Sequence, residues 1–149
     1  MFGDKRDLEG RRALLVEDIE KTLSGTIAEL RSAGLEITVT SNSADAIVAL
    51  EATTFDVVLL DWRLPLTVDS APDDEGGLRV LEALSSAACT GNAGVPVIIV
   101  TNQGSSVDSV RLSTFGNYRA TLSKLQMDEI TRAVRSVLHE PVSGGGRSV

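Results

Sequence analysis

Three apolar runs interrupt an otherwise mixed chain: Ala13-Leu14-Leu15-Val16, Val57-Val58-Leu59-Leu60 and Val97-Ile98-Ile99-Val100. None alternates apolar with polar residues, so each reads as a strand buried on both faces. Residues 36–40 carry β-branched side chains and read as a further strand, and residues 119–123 as a weak fifth. Between the strands, apolar positions recur three and four apart, the spacing of one helix face. The sets are Leu23, Ile27 and Leu30; Ala46, Ile47 and Leu50; Leu78, Leu81 and Leu84; Val107, Val110 and Leu112; and Ile130, Val134 and Val137. Gly34, Gly116 and Pro141 serve as stops, and Ser41 or Ser43 as the cap of the second helix.

Five strand–helix units of this kind predict an α/β fold, a doubly wound parallel sheet with helices on both faces. Residues 1–10 form a polar lead-in, residues 11–140 the domain, and residues 141–149, with Gly144-Gly145-Gly146, a flexible tail or cut linker. At 149 residues the chain suits a single domain with a substantial core.

Charge and composition narrow the function. A net charge of −7 and few aromatics argue against direct nucleic-acid binding, which favours a basic face and stacking platforms. The single cysteine, Cys89, excludes an internal disulfide and suits a reducing compartment. It reads as a surface or semi-buried residue. Neither a secretory signal nor an apolar run of membrane-spanning length is present, so the expectation is a soluble, cytoplasmic protein without a membrane partner.

The chemistry gathers at strand ends. Asp61 closes the second apolar run and Glu17-Asp18 follows the first. Open parallel sheets place ligands beyond the C-terminal ends of their strands. If the two strands are neighbours, three carboxylates meet there, a donor set for a hard divalent cation.

In order, Leu-Leu-Val-Glu-Asp ending at Asp18, Val-Val-Leu-Leu-Asp-Trp-Arg-Leu-Pro around Asp61, Val-Ile-Ile-Val-Thr ending at Thr101 and Leu-Ser-Lys at Lys124 form a specific set. With these pieces the chain resembles the receiver domain of two-component response regulators over residues 11–139. The resemblance implies a flavodoxin-like sheet in the order 2-1-3-4-5. It implies that Asp61 is the nucleophile that accepts a phosphoryl group, forming an acyl phosphate. It assigns Mg2+ to Asp18, Asp61 and the main-chain carbonyl of Arg63, with Glu17 acting through water. Lys124 would contact a phosphate oxygen and Thr101 would donate its hydroxyl to the new group. The implied donor is a sensor histidine kinase or phosphotransfer protein, the output partner is unidentified, and a homodimer is compatible. The protein would be a signalling switch, not a metabolic enzyme.

Bland roles compete with these when residues are taken singly. Glu17-Asp18 suit the start of a helix, Thr101 a strand end, Lys124 the surface and Trp62 local packing. His139 suits the C-terminal end of the last helix. The chain also departs from the family pattern. The acidic segment between Pro65 and Gly77, with Asp69, Asp73, Asp74 and Glu75, is several residues longer and is expected to be mobile and to flank Asp61. Leu125 stands where proline is usual after the lysine, which predicts a displaced Lys124. Asn102 replaces a small residue beside Asp61. Thr121 holds the position of the usual aromatic switch. The nearest tyrosine, Tyr118, is three residues away, an odd offset that predicts the opposite strand face or the preceding loop. These departures support an alternative, a degenerate receiver that binds partners without phosphotransfer. A metal-dependent phosphatase of the haloacid dehalogenase type is a third reading, but it needs an acid where Arg63 stands.

Overall fold

The computed structural model describes residues 6–18, 20–102, 107 and 109–139. Its main sheet has five parallel strands: β1 (Arg12–Val16), β2 (Glu36–Thr40), β3 (Val57–Leu60), β6 (Val97–Thr101) and β7 (Tyr118–Ser123). They lie in the order β2-β1-β3-β6-β7, which is 2-1-3-4-5 when only these strands are counted. The remaining two, β4 (Leu64–Pro65) and β5 (Pro72–Asp73), pair antiparallel as a hairpin outside the sheet.

The three apolar runs occupy the sheet centre because both faces are covered. Leu14, Val16, Val58, Leu60, Val97 and Ile99 face one core, packed with α2 (Ser43–Ala52) and α3 (Gly76–Ala83). Ala13, Leu15, Val57, Leu59, Ile98 and Val100 face the other, packed with α1 (Ser24–Ser32) and α5 (Met127–His139). The period of two in a strand thus feeds two cores from each run.

Several local devices hold the helices. Gly34 ends α1 at φ 104°, and a Cβ there would come within 2.8 Å of the Glu9 backbone, so glycine meets both demands. The cap of α2 is Asn42 and not either neighbouring serine: its side chain accepts from Asp45 N at 2.8 Å. Ser43 instead donates to Gly76 O at 2.8 Å, tying α2 to the start of α3. Buried Asn92 seals the other end of α2, donating to Leu50 O and Thr53 O and accepting from Phe55 N, each at 2.8 Å. Ile47 is only half-buried, while Ala46 and Leu50 carry the buried face.

Other expectations need correction. Cys89 is fully buried in the first core, because the 3-10 segment Ala87–Asn92 folds beneath α2. Leu8, from the polar lead-in, is also fully buried, with its N–H donating to Ala33 O at 2.9 Å. Asp7 beside it pairs with Arg135 at 3.0 Å and His139 at 3.2 Å on α5. Among the described residues the fourth helix, α4, covers Ser109–Leu112; Leu112 enters the core but Val110 is 79 % exposed. Residues 103–106, 108 and 140–149, including the glycine tail, lie outside the described residues. Among the described residues, no helix is long and apolar enough to cross a membrane.

Candidate functional site

The sheet register sets the site. Val16 stands beside Leu60, so Glu17 and Asp61 leave neighbouring strands together, and Asp61 N donates to Val16 O at 3.0 Å. Carboxylate oxygens of Glu17, Asp18 and Asp61 all lie within 4.8 Å of one another. Glu17 is 1 % and Asp61 4 % exposed, while Asp18 is half-buried.

Lys124 arrives from the far edge. Thr101 is level with Ser123 in the β6–β7 pair, which delivers Lys124 to the same end of the sheet. Its Nζ lies 2.7 Å from Glu17 Oε1 and 2.9 Å from Asp61 Oδ2, with the side chain only 7 % exposed. Lys124 is therefore not displaced, although Leu125 follows it and no peptide among the described residues is cis. Two acids at hydrogen-bond distance outweigh the cost of moving one ammonium out of water. Burial opposes its charge, but the bonds to Glu17 and Asp61 hold its pKa above the ordinary lysine value.

Asp61 is fixed by its own turn. Trp62 N donates to Asp61 Oδ1 at 2.8 Å, and Gly77 N donates to Trp62 O at 2.8 Å. A Cβ at Gly77 would come within 2.6 Å of Asp61 O and 2.9 Å of Trp62 Cε3, so α3 approaches this closely only through glycine. Trp62 itself is buried in the core, the packing role expected of it.

Asp18 and Asp61 open onto a cavity of about 190 Å3, also lined by Arg63, Pro72, Thr101, Asn102 and Lys124. The five expected side chains, Glu17, Asp18, Asp61, Thr101 and Lys124, thus stand at one sheet edge, with Thr101 1 % exposed. Asn102 does border the cavity.

The long acidic segment is a folded hairpin. Its base is tied down where Ala44 N donates to Leu66 O at 2.9 Å. Residues 67–72 are exposed, as expected, but Pro72 lines the cavity. Arg63 Nε bonds Asp74 Oδ1 at 2.9 Å and Arg111 Nη1 bonds Glu75 Oε2 at 3.3 Å. Sequence reasoning gave Arg63 only a main-chain role and assigned none to Pro72. The paired prolines of the hairpin, Pro65 and Pro72, were the available signal of a fixed turn.

Tyr118 is the clearest correction. It is the first residue of β7, half-buried and packed against the first core, and its hydroxyl lies 2.8 Å from Thr121 Oγ1. The pairing shifts between Val97–Tyr118 and Ile98–Ala120, so the strand carries one extra residue at Arg119. That bulge restores Tyr118 to the face of Thr121 despite their odd separation.

The sequence pattern of the response regulator receiver domain matches residues 13–135. The chain belongs to this family. Solved receiver domains share the fold. One is the receiver domain of a sensor histidine kinase from Pseudomonas aeruginosa, with a magnesium ion coordinated in its active-site cleft. It is 24 % identical at TM-score 0.70, over 88 % of this chain and 99 % of that one. A CheY-like receiver domain protein from Methanospirillum hungatei is 24 % identical at TM-score 0.64, covering 87 % and 94 % of the two chains. A Francisella response regulator receiver domain is 18 % identical at TM-score 0.68, covering 89 % and 100 %. No curated protein matches this receiver domain by sequence.

Proposed function

We propose that this receiver domain accepts a phosphoryl group on Asp61 from a sensor histidine kinase or phosphotransfer protein in the cytoplasm. The observation that carries the reading is Lys124 held 2.7 Å from Glu17 and 2.9 Å from Asp61 beside a third carboxylate. An ordinary solvated acid cluster has no reason to draw a lysine into so buried a position.

A hard cation fits this donor set, because three carboxylates with oxygens inside 4.8 Å suit Mg2+ and its retained waters. Glu17, Asp18, Asp61 and the main-chain carbonyl of Arg63 would hold the ion, Glu17 through water, and it would neutralise negative charge at the reacting group. The chain's own residues do the rest. An Asp61 oxygen attacks phosphorus, the new O–P bond forms, and the P–N bond of a phosphohistidine donor breaks with the electron pair leaving on the imidazole. Lys124 neutralises a phosphoryl oxygen, and the Thr101 hydroxyl donates to another. The Trp62 N–H on Asp61 Oδ1 keeps the carboxylate plane fixed for attack.

A second reading, an interaction module without phosphotransfer, draws on Thr121 at the switch position and on Tyr118 tethered to it. Intact mass after exposure to acetyl phosphate with Mg2+ decides between them. The expected result is one added phosphoryl group, lost in Asp61→Asn. An unlabelled parent would sink the first reading.

A further inference from the structure

The charges at the cavity do not balance once a phosphoryl group is present. Glu17, Asp18 and Asp61 bring three negative charges and Lys124 one positive charge. A divalent cation offsets the remainder. Phosphorylation then turns the single charge of Asp61 into about two. Among the described residues lining the cavity, Arg63 is the cation besides Lys124.

Arg63 is also held in place. Its Nε donates to Asp74 Oδ1 at 2.9 Å, the one partner of this guanidinium among the described residues. Guanidinium carries five N–H donors in a rigid fork, so this bond leaves the Nη donors for another anion. Asp74 follows β5 directly, and the hairpin is fixed at its base by the Ala44–Leu66 and Ser43–Gly76 bonds. An isolated surface ion pair, with Arg63 about half-exposed, contributes little to stability. Arg63 also lines the cavity onto which Asp61 opens, which gives this pair a different use.

We infer that the Arg63 side chain is a second cationic contact for the phosphoryl group at Asp61, and that Asp74 of the hairpin is its positioning residue. This rests on the receiver reading above but adds to it a side chain to which that reading gives only a main-chain role. The hairpin thereby becomes part of the anion site and not only its rim.

The test uses the full chain with beryllofluoride and Mg2+, read by 19F NMR, beside labelling by acetyl phosphate. Arg63→Gln is expected to weaken beryllofluoride binding about tenfold, as loss of a charge-assisted hydrogen bond does. Arg63→Lys should recover part of the loss. Asp74→Asn should weaken binding about threefold in the parent and have no further effect in the Arg63→Gln background, as expected of residues acting as a unit. Thermal unfolding of each variant shows that the fold is kept. Parent-like binding by Arg63→Gln would overturn the inference and leave an ordinary surface pair. An Asp74→Asn effect of equal size in both backgrounds would remove its positioning role. Labelling of Asp61 without any Arg63 dependence leaves the receiver reading standing and the inference refuted. Arg63-dependent beryllofluoride binding without labelling supports the Arg63 contact with an anion at Asp61 and refutes phosphotransfer as its use. A parent that neither binds nor labels refutes both.

Discussion

The Tyr118 hydroxyl and Thr121 Oγ1 meet at 2.8 Å on one face of β7, joined there by a bulge at Arg119. The bond closes the gap between an aromatic ring packed on the first core and the segment that delivers Lys124. Removing the hydroxyl in Tyr118→Phe should cost about 1 kcal/mol, the ordinary value of a neutral hydrogen bond. It should also uncouple the ring from Thr121. Chemical shifts with and without a phosphoryl mimic check this: the Tyr118 ring should respond in the parent, and the response at Thr121 should shrink in Tyr118→Phe.

Gly77 has no room for a side chain beside the Asp61 turn. Its Cβ would lie 2.6 Å from Asp61 O, so Gly77→Ala forces α3 away from the Asp61–Trp62 turn. The expected cost is about 1–3 kcal/mol, the range of overpacked cores. Chemical denaturation measures it, and a parent-like midpoint would refute the close approach. Gly94 has open space around its Cβ, so Gly94→Ala should be mild and serves as the control.

Lys124 and a divalent cation should compete to stabilise the same acids. Lys124→Ala leaves Glu17 and Asp61 close together without their ammonium, which predicts marked destabilisation in chelator. Mg2+ should restore more stability to Lys124→Ala than to the parent. Trp62, whose main-chain N–H donates to Asp61 Oδ1, adjoins the site and supplies the fluorescence signal for the titration. Equal Mg2+ effects in both proteins, read by thermal shift, would count against the shared site.

The pKa shifts of Asp7 and Lys124 predict opposite limbs of a stability profile. The hydrogen bond from Arg135 lowers the pKa of Asp7, against burial, with His139 assisting. Its stabilisation is present above the unfolded carboxylate pKa of about 4 and is lost as pH falls through the lower folded value. Lys124 is raised, so its stabilisation is present below the ordinary lysine pKa of about 10.4 and is lost as pH rises through the higher folded value. Asp7→Asn should therefore flatten only the acid limb of an unfolding-versus-pH curve. A change in the alkaline limb of that variant would contradict the assignment.

Much of this was legible along the chain. Three non-alternating apolar runs, separated by helical periodicities, determined a parallel sheet covered on both faces, and with it the sheet edge that gathers Glu17, Asp18, Asp61, Thr101 and Lys124. Those inferences rest on local period and on residues that directly follow strands, both of which are properties of short windows. What the tertiary structure decided lies in pairings between distant segments. Asn42, not Ser41 or Ser43, caps α2 because Ser43 is drawn to Gly76, 33 residues away. Cys89 is buried because a 3-10 segment folds under a helix. Lys124 stays in the site despite Leu125 because two acids from other strands hold it. The acidic segment is a hairpin because α2 receives its base. Tyr118 faces Thr121 because β7 gains a residue against β6, and a bulge is set by the partner strand, which no periodicity within one strand contains.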